Sequence, residues 1–134
     1  MNRQVVVDAS AFVACVLPDE SASRELVDTL VDAEFILPSL WPAEVANTLL
    51  MAERRGRIDQ AGIIRILDRL GERPLSIEPA GLELALRATE VARICSLTIY
   101  DAAYLELAIR RALPFATLDR QLKAAAKKMK VKVV

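Results

Sequence analysis

The sequence predicts an α/β fold in which a mostly parallel sheet of four to five strands is covered by helices on both faces. Short apolar runs alternate with longer stretches of helical periodicity along the whole chain, an order typical of parallel sheets. The chain has 134 residues, of which 54% are hydrophobic, enough to bury a core without disulfides. Residues 1–134 are therefore expected to form a single domain.

The first third of the chain predicts one strand and two helices. The valines of residues 5–7 form a short apolar strand that ends at Asp8. Residues 10–17 form a short helix that Pro18 stops, because proline lacks the amide hydrogen that a helix interior needs. Residues 21–33 form an amphipathic helix with a serine cap at its start, and its apolar side consists of Leu26, Val27 and Leu30.

The middle of the chain predicts a strand followed by two helices. The second strand is "EFILP", residues 34–38. The next helix, residues 42–56, carries Pro42 in its first turn, where proline is favoured, and ends at Gly56. Another helix spans residues 59–70.

The last part of the chain alternates strands with helices. Residues 75–79 form a short strand, and residues 82–94 are helical. Thr98 is the expected N-cap of a helix within residues 97–112, since its hydroxyl can accept a hydrogen bond from a first-turn amide. The remaining elements are a strand over residues 114–118, a helix over 119–130 and a closing strand over 131–134.

Composition excludes several classes of protein. The chain has no histidine, which excludes Ser-His-Asp triads, histidine-ligated zinc and imidazole acid–base catalysis. The longest apolar run, residues 11–17, is much shorter than the roughly 20 residues of a membrane span, and the N-terminus lacks the apolar core of a signal peptide. A cytoplasmic protein is expected, with Cys15 and Cys95 as small core residues.

Net charge is zero, but the basic residues are unevenly distributed. One concentration is "ERRGR", residues 53–57. The other begins after Asp119, from which point one acid faces six lysines and arginines. Both are expected to be solvated surface, and contact with phosphate groups is the alternative.

Four acids lie where strands end or helices begin. Asp8 ends the first strand, and Asp119 directly follows the fourth. Glu44 and Asp101 lie in the first turns of two helices. Each alone is explained as an ordinary first-turn acid, because free amides and the helix dipole attract negative charge. Their neighbours are strongly apolar, however, and functional groups gather beyond the carboxyl ends of parallel strands.

If the four acids share one cleft, their repulsion favours binding of a cation. Two unit charges about 4 Å apart repel by roughly 4 kcal/mol at an effective dielectric of 20. A set of oxygen ligands without histidine or thiolate selects Mg²⁺ or Mn²⁺. Such an ion can polarise a phosphate and activate water, so this set of acids indicates phosphoryl chemistry.

Four stretches resemble the signatures of PIN-domain ribonucleases, and most closely those of the VapC toxins of toxin–antitoxin modules. They are "VVVDAS", "LWPAEVANTLL", "LTIYDAAYLELA" and "PFATLDRQL". The resemblance covers essentially the whole chain and keeps the family's order. It implies a PIN-like parallel sheet, cleavage of RNA with Mg²⁺ or Mn²⁺, a homodimer and a cognate antitoxin protein.

The resemblance also implies roles for particular residues. The family's hydroxyl positions fall on Ser10 and Thr117, which would bond to water or to a carboxylate at the metal. Ser96 departs from the pattern, because relatives often carry glycine there; the turn is expected to change and the acids to remain intact. The family's metal-site acids fall on Asp8, Glu44, Asp101 and Asp119.

Two further questions stay open at the level of sequence. Trp41 and Tyr100 lie close to two of the acids; they can stack on a base, and core packing is the expected role.

The alternative function is a catalytically silent PIN-like module that binds RNA or protein. A receiver-type phospho-acceptor and a D-x-D phosphatase fit poorly, because "VVVDAS" supplies one acid where both need two.

Overall fold

The structure is a computed structural model that describes residues 3–18, 22–79 and 81–134. Within these residues the chain forms four strands and seven helices. The strands are β1 (Gln4–Val7), β2 (Glu34–Leu37), β3 (Leu75–Ile77) and β4 (Phe115–Ala116). The helices are α1 (Ala9–Val16), α2 (Arg24–Val31), α3 (Trp41–Arg54), α4 (Gln60–Leu70), α5 (Leu82–Cys95), α6 (Ile99–Arg111) and α7 (Arg120–Lys128).

All four strands pair in parallel, in the order β3-β2-β1-β4. Strand β1 has neighbours on both sides, since Val5 pairs with Phe35 and Val7 pairs with Ala116. Its three valines are fully buried, as the continuous apolar run predicts for a strand covered on both faces. The predicted α/β class with a parallel sheet is confirmed.

The strand order reverses at β1. The chain goes outward from β1 to β2 and β3, and it then returns across the sheet to β4 on the other side of β1. Because parallel crossovers are right-handed, the helices of the outward and return paths cover opposite faces. Helix α1 packs against α2 and α3, whereas α6 packs against α5, α7 and β1. Side chains just beyond β1 and β4 therefore lie at the switch point, where open α/β sheets bind ligands.

Aromatic side chains fill the core between these helices and the sheet. The rings of Phe12 and Trp41 meet edge to face with 5.3 Å between centroids, and Phe12 meets Phe35 at 6.2 Å. Tyr104 stacks on Phe115 at 6.3 Å with 14° between the ring planes. These contacts join α1 and α3 to β2, and α6 to β4.

Several predicted elements are longer than those observed, including the strands over residues 75–79 and 114–118, which are reduced to β3 and β4. The closing strand over residues 131–134 is reduced to one parallel bridge, between Phe115 and Val133. The predicted helix over residues 21–33 begins at Ser21, which lies outside the described residues. Helix α2 starts later, and Ser23 caps it by accepting a hydrogen bond from Leu26 N at 3.1 Å.

The structure also bears on the cysteines and on membrane insertion. Cys15 and Cys95 are half-buried and pack against the core as free thiols. Among the helices that the structure describes, none has the length and apolar character needed to cross a bilayer.

Candidate active site

Asp8 is the buried acid at the switch point. Its backbone amide donates to Ala116 O at 3.1 Å, so pairing with β4 fixes its position. The residue is 5% exposed, and its Oδ1 accepts hydrogen bonds from Ala11 N at 2.9 Å and from Ser10 Oγ at 2.7 Å. Thr117 Oγ1 donates to the other oxygen, Oδ2. Asp8 therefore caps α1 and is also held from β4.

The two predicted hydroxyl residues join β1 to the segment after β4. Ser10 Oγ accepts a hydrogen bond from Leu118 N at 3.2 Å, and Thr117 Oγ1 accepts one from Asp119 N at 3.1 Å. Each hydroxyl thus accepts from a backbone amide and donates to Asp8, which fixes the direction of both hydroxyl protons. The structure brings both residues to the Asp8 carboxylate.

The other three acids lie at helix N-termini, as the sequence predicts. Glu44 lies in the first turn of α3. Asp101 lies in the first turn of α6, and its amide donates to Thr98 Oγ1 at 3.2 Å, which confirms the predicted cap. Asp119 caps α7, where its Oδ1 accepts a hydrogen bond from Leu122 N at 2.9 Å. The free amides and the dipole of each helix favour an acid at these positions.

The four acids interact electrostatically. Burial raises the pKa of Asp8, its hydrogen bonds partly offset this, and the charge of Asp119 raises the pKa further. Burial likewise raises the pKa of Glu44, and the charges of Asp101 and Asp8 add to it. Burial raises the pKa of Asp101, with additions from Asp119 and Asp8. The charges of neighbouring acids therefore disfavour the charged forms of Asp8, Glu44 and Asp101.

In the part of the chain that the structure describes, none of these acids forms an ion pair with lysine or arginine. Nor do any three described acids or cysteines converge into a group already spaced to hold a metal ion. The donor set still fits Mg²⁺ or Mn²⁺ in its chemistry, because it consists of carboxylate and hydroxyl oxygens that repel each other without a cation.

Tyr104 is a site residue that sequence reasoning missed. It is 1% exposed, and its hydroxyl donates a hydrogen bond to Glu44 Oε1 at 3.1 Å. Burial raises the pKa of Tyr104, and the nearby charge of Glu44 raises it further, so the phenol keeps its proton. A signal was present in the sequence, because Tyr104 lies three residues after Asp101 and therefore on the same side of α6.

The two aromatic side chains near the acids have opposite environments. Trp41 is 1% exposed and packs in the core, which confirms the expectation for that residue. Tyr100 is 66% exposed, so the expectation of core packing is wrong there. The reason is its place in the first turn of α6, before the buried part of the helix begins at Ala102.

A surface cavity of about 670 Å³ lies between the end of α1 and α4, away from the four acids. Its apolar lining includes Val16, Ile58 and Ile66, and three arginines also line it: Arg57, Arg65 and Arg69.

Comparisons with known proteins agree with this architecture. The family model of the PIN domain matches residues 5–128. Ribonuclease VapC3 from Pyrobaculum aerophilum is 33% identical over 121 residues, which are 89% of this chain and 92% of that protein. The crystal structure of PAE2754 from Pyrobaculum aerophilum is 28% identical with a TM-score of 0.69, covering 92% of this chain and 84% of the other. FitAcB from Neisseria gonorrhoeae shares the fold at 15% identity, with a TM-score of 0.61 over 96% of this chain and 95% of the other.

Proposed function

Because the chain belongs to the PIN-domain family, we propose that it is a Mg²⁺- or Mn²⁺-dependent endoribonuclease and the toxin of a VapBC-like toxin–antitoxin pair. The observation that supports this proposal is the electrostatic interaction of the acids at the switch point: the charges of Asp8, Asp101 and Asp119 raise the pKa values of neighbouring acids, and none of the four acids has a basic partner among the described residues. The similarity to Ribonuclease VapC3 supports RNA as the substrate. An RNA substrate in turn supports the cytoplasm as the place of action.

The four acids would have different roles at this site. Asp8, Glu44 and Asp101 would hold the principal ion, directly or through water, and Asp119 would bind a second ion or orient the attacking water. A divalent cation supplies positive charge for the phosphate and makes water a better nucleophile. Hydrolysis by water rather than by the ribose 2′-hydroxyl leaves a 5′-phosphate and a 3′-hydroxyl.

Ser10 and Thr117 would prepare Asp8 for this role. Together with the Ala11 amide they donate three hydrogen bonds to its two oxygens, which restricts the carboxylate to one orientation. Hydrogen bonds to the charged form also favour ionisation, against the burial that opposes it. Asp8 can therefore be both buried and available to a cation.

RNA must be bound mainly by groups beside the acids, because the acids repel its phosphates. Tyr100 precedes Asp101 and exposes a ring on which an unpaired base can stack. Arg120 and Lys123 follow Asp119 on α7 and can contact phosphates. Replacing these two basic residues should weaken RNA binding and flatten its dependence on salt.

A cognate antitoxin is the protein partner that the VapC resemblance implies. The cavity between α1 and α4 has apolar walls and is also lined by Arg65 and Arg69, so it suits an amphipathic segment with acidic side chains. Arg65→Glu should reduce co-purification with the product of the neighbouring reading frame. Arg93→Glu is the control, because Arg93 is also an exposed helical arginine and does not line the cavity.

A homodimer is the second assembly that the resemblance implies. Leu82 and Leu86, one turn apart on α5, are 87% and 73% exposed, the highest values among the large apolar side chains of the described residues. Adjacent exposed apolar side chains are where we expect a dimer interface to form. Light scattering of the wild type and of Leu82→Glu measures whether a dimer exists and whether it uses this face.

The decisive experiment is cleavage of single-stranded or looped RNA by the purified protein. Cleavage should require Mg²⁺ or Mn²⁺ and stop with EDTA. Asp8→Asn and Asp101→Asn should each lower the rate more than about 100-fold, beyond the roughly 10- to 100-fold cost of changing an outer-shell partner. Sequencing the RNA ends identifies the target and the product termini.

Asp59→Asn is the matched control for these variants. Asp59 also caps a helix, where its Oδ1 accepts a hydrogen bond from Gly62 N at 2.7 Å, but it lies outside the acid cluster. Its variant should cleave at the wild-type rate. Full activity in both Asp8→Asn and Asp101→Asn would refute the assignment. RNA binding without cleavage would favour the silent-module alternative, which the lack of a preformed metal-holding group among the described acids also supports.

A further inference from the structure

Tyr104 links the two helices that carry Glu44 and Asp101. Its ring is 1% exposed and lies nearly parallel to the ring of Phe115 in β4. From this fixed position its hydroxyl reaches across to α3 and donates to Glu44 Oε1 at 3.1 Å. The two residues are 60 positions apart in the sequence, so the bond is a tertiary contact rather than a local one.

The acceptor of this hydrogen bond distinguishes Tyr104 from an ordinary buried tyrosine. A buried tyrosine needs a hydrogen-bond partner for its hydroxyl, and a backbone carbonyl would satisfy that need. Here the acceptor is the side chain of an acid in the candidate site. A bond to a carboxylate is stronger than one between neutral groups, and it fixes the orientation of the acceptor.

Glu44 depends on this bond more than Asp8 depends on any one of its own. The short side chain of Asp8 is held by three donors. Glu44 has a longer side chain with more rotamers, and within the described residues Tyr104 is the one side chain that donates to it. Without the tyrosine hydroxyl the Glu44 carboxylate would sample several orientations.

We infer that Tyr104 is a positioning residue that holds Glu44 ready for a divalent cation. This inference rests on the proposed function, since it assumes that the acids bind Mg²⁺ or Mn²⁺. The hydrogen bond engages one carboxylate oxygen, and the carboxylate keeps acceptor capacity for a cation. Carboxylates that bind metals are commonly oriented by such partners.

Tyr104→Phe tests the inference, because it removes the hydroxyl and keeps the stacked ring. Mn²⁺ affinity, measured by isothermal titration calorimetry without RNA, should fall about 10- to 100-fold. Thr89→Val is the control: it also removes a side-chain hydroxyl, which donates to Ala85 O at 2.6 Å within α5, and Thr89 belongs to no part of the candidate site. Its Mn²⁺ affinity should equal that of the wild type.

A double-mutant cycle shows whether Tyr104 acts through Glu44 or only supports the fold. In a Glu44→Gln background, adding Tyr104→Phe should cause no further loss of Mn²⁺ affinity. An equal loss in both backgrounds would contradict the inference. Thermal melting in EDTA measures any effect on the fold separately.

The outcomes separate this inference from the proposed function. If Asp8→Asn loses Mn²⁺ and Tyr104→Phe binds it as tightly as the wild type, the inference is wrong and the proposed function stands. If the wild type binds no Mn²⁺, both are wrong.

Discussion

Two clusters of acids lie at α6, each with one buried member, and their charges are balanced in different ways. The paired cluster consists of Glu78 and Glu106 with Arg87, Arg110 and Arg111. The open cluster consists of Asp8, Glu44, Asp101 and Asp119. Glu106 and Asp8 are almost equally buried, at 4% and 5% exposed. Among the described residues, Glu106 has basic partners and Asp8 has none.

The paired cluster joins the end of β3 to helices α5 and α6. Glu106 Oε1 lies 2.8 Å from Arg110 Nε and 3.1 Å from Arg87 Nε. Glu78 lies 2.6 Å from Arg111 Nη1 and 3.5 Å from Arg110 Nη1. Each acid therefore contacts two guanidinium groups, and these ion pairs raise the pKa of Arg110.

The open cluster lacks the arginines that neutralise the acids of the paired cluster. Where this fold buries an acid for structure alone, it supplies arginines at hydrogen-bond distance. At the switch point it supplies hydroxyls and amides, which orient carboxylates without neutralising their charge. A buried charge without a compensating charge costs stability, so a cation from solution is the expected partner.

The largest effect that tests this comparison is stabilisation by metal. Mn²⁺ at about 100 times its dissociation constant should raise the free energy of unfolding by about 2.7 kcal/mol, because it binds the folded chain. Urea denaturation with Mn²⁺ and with EDTA measures the difference. Mn²⁺ should not raise the free energy of unfolding of Asp8→Asn, whereas it should raise that of Glu106→Gln as much as that of the wild type. An increment that Asp8→Asn retains would place the ion elsewhere.

The second effect concerns the paired cluster. Glu106→Gln should lower the free energy of unfolding by about 1–3 kcal/mol, because two partly buried guanidinium groups lose their charged acceptor. Glu83→Gln is the control, since its side chain is 85% exposed and its contact with Arg87 is 3.6 Å. Urea denaturation at neutral pH in EDTA compares the two. Equal stability of both variants would show that the pairing has no structural role.

The third effect is a dependence on pH in the absence of metal. Burial and mutual repulsion raise the pKa values of Asp8, Glu44 and Asp101 above their ordinary values of 3.8, 4.5 and 3.8. The folded state therefore favours the protonated acids. Their contribution to stability is fully present below the ordinary pKa values and is lost as pH rises through the raised ones.

Asp8→Asn should remove part of this loss, because asparagine carries no charge and is an equally good helix cap. The stability of the variant relative to the wild type in EDTA should thus increase between about pH 4 and pH 7. Urea denaturation across this range measures the trend. A wild-type advantage that grows with pH would mean that the open cluster gains stability from its charges.

Local rules predicted much of the fold and the positions of the acids. The three valines before Asp8 predicted a fully buried strand, because only a strand covered on both faces needs such a run. Capping preferences placed Thr98 and Asp101 at the start of α6. These predictions rest on neighbours within one turn or one strand, which the sequence displays directly.

Contacts between distant elements could not be predicted in the same way. The bond from Tyr104 to Glu44 and the ion pair of Glu106 with Arg87 depend on how α6 packs against α3 and α5. The exposure of Tyr100 depends on where α6 meets the sheet. The sequence shows the residue types but not which helix faces meet.

The smallest effect concerns the turn that joins the helix of Arg87 to the helix of Asp101. Ser96 ends α5 with a φ of 56°, and Gly56 follows α3 with a φ of 74°. Side chains disfavour this left-handed conformation, and glycine adopts it freely. The resemblance to PIN-domain ribonucleases pointed to this position as one where relatives often carry glycine, and the backbone gives the reason.

Ser96→Gly should therefore raise the free energy of unfolding by about 0.5–1 kcal/mol. The substitution relieves backbone strain in the folded state, and the entropy that glycine adds to the unfolded chain offsets part of this gain. Gly56→Ala should lower it by about 1 kcal/mol for the same backbone reason, since a Cβ there meets nothing within 4 Å. Ser96 contacts Gln121 through its carbonyl, which the substitution keeps. Urea denaturation should show both changes, with the Mn²⁺ increment unaltered because neither residue belongs to the open cluster. A change in that increment with Ser96→Gly would instead mean that the turn helps to set the position of Asp101.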